Sequence, residues 1–317
     1  MVQKSITSAW FAEKFNCTES DISQIVSAEE IDGLVYEILT TEQQNAVVDE
    51  LTEVNRSAQL RVSTQDSNPV WEKGWGEVFQ RLASSEDIAR EILKPQYFGK
   101  DTRLRFDGQY IRAKSNNFEY RMDLLIRKVA FSHYFSAVNN IVELGCGTAN
   151  SLLLLSELYP DKPLQGADWA TSSQKIVEKL ARQTGKKLSG VNFNMFTCEG
   201  ANSLEVNSDT GVLTVHALEQ LGPDFQTILA LLLDKKPKVC VHLEPISELY
   251  QANQAYDQVA LDYHKKRNYL AGFYSELKRL EQEDQIEILC NQRLGFGGLY
   301  HEAYSLVVWR MKRYDSK

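Results

Sequence analysis

Apolar residues in the first hundred positions recur at three- and four-residue intervals, the spacing that gathers them on one side of a helix. Helices are predicted over 19–26, over 28–39, where Ile31, Leu34, Val35 and Ile38 share a face, and over 41–55, where Thr41 and Gln44 form a capping box. The polar run Ser63 to Pro69 reads as a linker or mobile loop. Trp71 and Trp75 read either as a lid over a substrate or as packing on a core. Residues 103–112 alternate around Asp107-Gly108, a dipeptide suited to a two-residue hairpin turn. An amphipathic helix from Phe118 to Phe135 then opens a series of short apolar runs at 141–144, 164–169, 191–196, 212–215 and 239–243, with helical patterns at 172–184 and 225–233. Such alternation predicts an α/β architecture with a parallel sheet and right-handed crossovers. A long helical pattern follows from Leu249 to Leu280, with Gly272 as a break or bend. Two strands over 285–293 and 304–310 flank the loop 294–302.

The run Ile141-Val-Glu143-Leu-Gly145-Cys146-Gly147-Thr-Ala-Asn150 reads as strand, tight turn and helix. Glycines at 145 and 147 let the backbone turn sharply and approach a ligand closely. Asp168 closes the next strand-like segment about twenty residues on, where a carboxylate accepts from ribose hydroxyls. A dinucleotide fingerprint wants Gly or Ala at the third position, and here it is Asn150. The acid, Gly, x, Gly pattern of Glu143, Gly145 and Gly147 resembles motif I of the class I S-adenosylmethionine-dependent methyltransferases, and the resemblance spans roughly 118–311. It implies a doubly wound, Rossmann-like, mostly parallel seven-stranded sheet over 101–317, with 1–100 as a helical N-terminal cap covering the substrate. S-adenosylmethionine is the implied cofactor, held by Glu143, Gly145, Cys146, Gly147, Asp168, Trp169, Phe196 and His216. Trp169 is placed to flank the adenine, and the acid common in the family after the third strand is absent at Phe196-Thr197.

Composition adds exclusions. Hydrophobic residues at 43% and charged ones at 25% are ordinary for a globular chain, so long disorder is not expected. A net charge of -8 without a standout Lys/Arg cluster argues against a nucleic-acid substrate held by its phosphates. The best basic run, Lys265-Lys266-Arg267, reads as a solvated helix face. Cysteines at 17, 146, 198, 240 and 290 form no C-x-x-C pair, which suits buried thiols in a reducing compartment. No apolar run reaches signal-peptide or membrane-span length, so a cytoplasmic protein without a membrane partner is expected. A homodimer is admitted but not specified.

Methyl transfer to a hydroxyl needs an in-line nucleophile and a base. His216, Glu244 and His301 are the candidate catalytic groups, with Glu219 as a rival base. No ligand-spaced motif is present, so no metal is assigned; His242, Glu244, His264 and His301 are the residues that would supply one. The expected activity is methylation of a small polar metabolite, of sugar or natural-product type, at oxygen or nitrogen in a biosynthetic role. The alternatives are a metal-assisted C-methyltransferase of a keto acid and a non-catalytic nucleoside-binding or assembly module.

Overall fold

A computed structural model describes residues 3–57, 60–85 and 90–312. Helices α1 (Ser8–Phe15), α2 (Glu19–Ile25) and α3 (Ala28–Ile31) lie between strands β1 (Gln3–Ser5) and β2 (Val35–Ile38). Next come α4 (Thr41–Arg56), α5 (Asn68–Ala83), α6 (Arg90–Leu93) and the hairpin β3 (Arg103–Phe106) and β4 (Gln109–Ala113). The alternating segment runs α7 (Phe118–Tyr134), β5 (Asn140–Leu144), α8 (Asn150–Leu158), β6 (Leu164–Asp168), α9 (Thr171–Thr184), β7 (Leu188–Asn192), β8 (Thr210–Val215), α10 (Gln226–Lys235) and β9 (Val239–Glu244). It is followed by α11 (Ala255–Arg267), α12 (Phe273–Gln282), β10 (Ile286–Arg293), β11 (Phe296–Gly297) and β12 (Ser305–Met311).

The larger sheet has seven strands in the order β10-β12-β9-β8-β5-β6-β7. Strands β5 to β9 pair in parallel, and β12 lies antiparallel between β9 and β10. Side chains alternate across its faces. Ile141, Leu213 and Val241 join α7, α8 and α9 in one core, whereas Val142, Val212 and Cys240 join α10 and α12 in another. Helices therefore cover both faces. The first core continues without interruption into Phe11, Ile22 and Leu34. Each of these fully buried side chains stabilises the docking of the N-terminal helices by about 1.5–3 kcal/mol relative to exposure.

The N-terminal region is not all helical. After α3 the chain turns through Gly33 in the left-handed region, and Val35 to Ile38 form a strand rather than the second half of a helix. β-Branched and aromatic residues gain more from pairing with β1 and β4 than helical spacing offers them. The five strands β1-β2-β4-β3-β11 make a second sheet, so strands from both sides of residue 100 share it, and part of the expected loop 294–302 supplies its edge. The capping box sits one residue earlier than expected, on Thr40 and Gln43. Gln44 instead exchanges two hydrogen bonds with the Tyr110 backbone. The long C-terminal helical pattern divides at Asn268 and Gly272, both left-handed, into α11 and α12.

A buried cluster clamps the two sheets together. Arg293 on β10 grips Asp257 of α11 through two 2.6 Å hydrogen bonds and Glu302 through a third. Arg105 on β3, fully buried, reaches Asp257 at 3.2 Å and lies 3.5 Å over the Tyr256 ring. Two cations face two carboxylates, a balance that such burial requires.

Candidate active site

The strand β5 opens directly into the glycine turn. Gly145 and Gly147 have φ of 74° and 50°, and the Gly145 and Cys146 N–H groups both donate to the Ala167 carbonyl on β6. A Cβ on Gly145 would stand 2.4 Å from Ala217 Cβ, and one on Gly147 would stand 3.2 Å from the Trp75 ring. The left-handed backbone and these protein neighbours already favour glycine at both positions. Asp168 locks this turn. Its Oδ2 accepts from Gly147 N–H at 2.9 Å and its Oδ1 from Ala170 N–H at 2.8 Å. Burial pushes its carboxyl up to about 6.

Two cavities meet at the turn. The smaller, of 80 Å³, is lined by Asp168, Trp169, Phe193, Phe196 and Leu221 and roofed by Trp71 and Trp75 of α5. Trp169 and Phe196 face one another at 5.5 Å. Phe196 is not on a strand, since β7 ends at Asn192; a turn in which Phe196 N–H donates to Asn194 Oδ1 presents it. Trp71 and Trp75 stack at 5.4 Å and line both cavities. The helix that carries them is fixed over the site by Glu72, which accepts from the Ser172 hydroxyl and N–H at the start of α9.

The larger cavity, of 520 Å³, runs from Glu143, Gly145 and Asn150 past His216 to Glu219, Arg267 and His301. At its near end Arg127 of α7 donates to Asp123 and to Ser151, each at 2.8 Å. Glu143 is buried, its carboxyl pushed up to about 8, and its Oε2 has no hydrogen-bond partner among the described residues. Asn150 accepts from the Tyr120 hydroxyl, while its Nδ2 is likewise unpartnered. An orphaned acceptor beside an orphaned donor fits the ammonium and carboxylate of an amino-acid group. The aromatic slot beside Asp168 fits a nucleoside. Cys146 differs from its neighbours: its thiol packs inward near Gly166, so only its backbone faces the site.

No family model and no curated protein matches the chain. Solved structures do. Geranyl diphosphate methyltransferase in complex with SAM is 11% identical, covering 63% of this chain and 92% of its own, with a TM-score of 0.43. The methyltransferase domain of bacterial CtHen1-CN is 14% identical over 61% of this chain and 99% of its own, at 0.42. An rRNA methylase from Escherichia coli is 10% identical over 92% and 98%, at 0.44. Scores at this level leave the assignment to the topology itself: β5 central, β6 and β7 on one side, β8 and β9 on the other, and an antiparallel β12 inserted before β10, with the glycine turn on β5. This is the seven-stranded order that the resemblance to the class I methyltransferases implies.

Within this fold, the expected catalytic residues separate. His216 ends β8 with φ of 53°, lies edge-on to Tyr304 at 4.8 Å and lines both cavities. Burial and Arg127 lower its pKa to about 3, which keeps it neutral. His301 lines the wide cavity and meets His264 Nε2 at 3.0 Å through Nδ1. Glu244 is elsewhere. It lies at the end of β9, fully buried, and accepts from the N–H groups of Ala217, Leu218 and Glu219. It borders neither cavity, so it holds the turn after β8 and is not placed as a base. His242 is spent in the sheet, between Thr214 Oγ1 at 2.9 Å and Trp309 Nε1–H at 3.0 Å. The four residues named as potential metal ligands therefore do not converge; among the described residues no group of three or more His, Cys, Asp or Glu side chains is arranged to hold a metal.

Several wall residues were not singled out from sequence. Asp123 and Arg127 are an i, i+4 charged pair on the buried side of an otherwise amphipathic helix, and that misplacement of charge was a usable signal. Arg267 carried the opposite signal, being the last of a basic run. It turns inward, donating to the Tyr263 hydroxyl at 2.9 Å and lying 5.0 Å over Tyr269. The five cysteines are free thiols, and no helix among the described residues is long and apolar enough to cross a membrane.

Proposed function

We propose that this chain is an S-adenosylmethionine-dependent methyltransferase that acts on a small polar molecule at nitrogen or oxygen. One observation carries the reading: an aromatic slot ending at a buried, turn-locking Asp168 opens across the glycine turn into a larger cavity whose entrance holds the orphaned Glu143 and Asn150. Asp168 accepts from the ribose hydroxyls through the lone pairs its two backbone donors leave free. Trp169 and Phe196 flank the base from one wall of the slot, Glu143 takes the ammonium, and Asn150 donates to the carboxylate. The bound cofactor supplies a sulfonium methyl group open to in-line attack. His216, neutral and at the junction, and Tyr304 beside it face the place where the two substrates meet. The α5 tryptophans roof the junction and exclude water from it.

The cavity lies between the second sheet, α11 and the methyltransferase core, a shape that encloses a metabolite. Calorimetric titration with S-adenosylmethionine and S-adenosylhomocysteine tests the reading. Micromolar binding of both, weakened in Glu143→Gln for both but not for 5′-methylthioadenosine, is expected; absence of binding by the wild type refutes it.

A further inference from the structure

We propose that Glu219 is a catalytic carboxyl of this site and that the acceptor it serves is an amine. The inference rests on the methyltransferase reading above and adds to it the base and the chemical class of the nucleophile. Glu219 sits on the 3-10 turn Leu218–Leu221 that follows β8, three residues beyond His216. Glu244 fixes that turn from behind by taking three successive N–H groups, one of them that of Glu219 itself. The Glu219 side chain is only 7% exposed and lines the wide cavity with Gly145, Gly147 and His216, so it borders the place where a methyl donor crosses the turn. Its Oε1 accepts from Gln220 Nε2 at 2.7 Å. Its Oε2 has no hydrogen bond of good geometry among the described residues, although the Tyr269 hydroxyl lies close enough to the carboxyl to favour its charged form.

The other cavity groups are less suited. His216 and His301 are held neutral by burial and by nearby arginines, which makes them weak bases. Asp101 is paired with Arg103 at 2.7 Å, and Glu143 lies at the entrance beside Ser151 and Arg127. Around Glu219 stand Arg267, Tyr269, Gln220 and Glu244, and burial with Glu244 pushes its carboxyl up to about 8 despite Arg267. A buried carboxylate oxygen without a well-placed donor calls for one, and an ammonium supplies the strongest. A neutral hydroxyl would offer that oxygen a weaker, uncharged hydrogen bond. In the step itself the ammonium proton passes to Glu219 Oε2. The freed nitrogen lone pair forms the new N–C bond, the C–S bond breaks with its electron pair on sulfur, and a methylammonium and a thioether result.

Methyl-labelled S-adenosylmethionine with a panel of probes tests this: glucosamine, phenethylamine and putrescine against glucose, phenethyl alcohol and 1,4-butanediol, with tyrosol as a phenol. Label is expected on an amine and on none of the hydroxyl compounds. E219Q should slow that transfer roughly 10²–10⁴-fold, with E219D retaining part of it. Circular dichroism and S-adenosylhomocysteine affinity should be unchanged in both variants. Binding of the labelled amine to the S-adenosylhomocysteine complex at pH 7, followed by calorimetry in two buffers, should release a proton from the wild type and none from E219Q. Label on a hydroxyl or phenol oxygen, wild-type rates in E219Q, equal proton release in both proteins, or no labelled amine from a protein that binds the cofactor would each overturn the proposal. A wild-type protein that binds no cofactor removes the methyltransferase reading and this one with it.

Discussion

Asp168→Asn separates the two tasks that the structure places on one carboxylate. The wild-type group accepts from Gly147 N–H with one oxygen and from Ala170 N–H with the other. An asparagine of the same shape keeps one acceptor and turns an NH2 toward the second N–H. One charge-assisted hydrogen bond is lost, about 1.5–3 kcal/mol, and a donor is left facing a donor. The melting temperature should fall by several degrees, since each kcal/mol is worth about 2–4 °C in a domain of this class. The ribose hydroxyls lose their charged acceptor as well. A similar 1.5–3 kcal/mol translates into roughly ten- to a hundredfold weaker binding of S-adenosylhomocysteine. Calorimetry should find the same factor for 5′-methylthioadenosine, which keeps the ribose and lacks the amino-acid end. If S-adenosylhomocysteine weakens while methylthioadenosine does not, Asp168 contacts something other than the ribose. If melting is unchanged, the clasp on Gly147 is not real.

Glu244→Ala removes the acceptor of three buried N–H groups, each costing about 1–3 kcal/mol when orphaned, so chemical denaturation should show a loss of at least 3 kcal/mol; a fully stable but inactive variant would restore the reading of Glu244 as a base. Trp71→Phe with Trp75→Phe should reduce the intrinsic-fluorescence change on S-adenosylhomocysteine binding to the part that Trp169 reports, because these rings roof both cavities, and a change of undiminished size would place the ligand away from α5. Thermal stability of the free protein should fall from pH 6.5 to 9. Burial raises Glu143 and Glu219 to about 8 and Glu119 and Glu244 to about 7, so the fold holds protons that the unfolded chain has already released, and that stability is lost as pH rises through these values. Glu143→Gln with Glu219→Gln should flatten the decline, and an unchanged slope would show that these carboxyls are already ionised.

What sequence revealed of the fold was local. The turn at 145–147 and the acid at 168 are written in spacing along two short segments, and both stand where the spacing put them. Strand β2 escapes a helical reading because Val35 and Ile38 continue the spacing of Ile31 and Leu34, whereas the left-handed Gly33 ends the helix before them and β1 and β4 pair with the segment, one on each side. Phe196 was misplaced for a similar reason: an Asx turn, not a strand, presents it. His242 and Glu244 lie away from both cavities through cross-strand facts. Alternation puts Cys240, His242 and Glu244 on one face of β9, but only the register shows that Thr214 lies opposite His242. Trp309, 67 residues away in sequence, then fills the remaining ring nitrogen.

The acceptor wall follows from a different kind of information. Leu104 precedes Arg105 on β3, Tyr263 and Arg267 lie on α11 with Asp257, and His301 and Ala303 flank Glu302, so the lining residues are chain neighbours of the clamp that joins the two sheets. The clamp is charge-balanced, and removing one arginine from such a cluster strands carboxylates at a cost of about 3–5 kcal/mol where they are buried. Its members are far from the glycine turn in sequence and touch neither the slot nor the turn. They nevertheless hold the segments that bring Arg267 and His301 into the cavity, opposite Glu219 on the turn after β8. In the proposed reaction the acceptor would meet β3, α11, the 298–304 segment and Glu219, and the cofactor would meet β5, β6 and the turns that end them. The two halves meet at the turn after β8, where His216 lines both cavities, Ala217 packs on Gly145 and Glu219 lines the larger cavity.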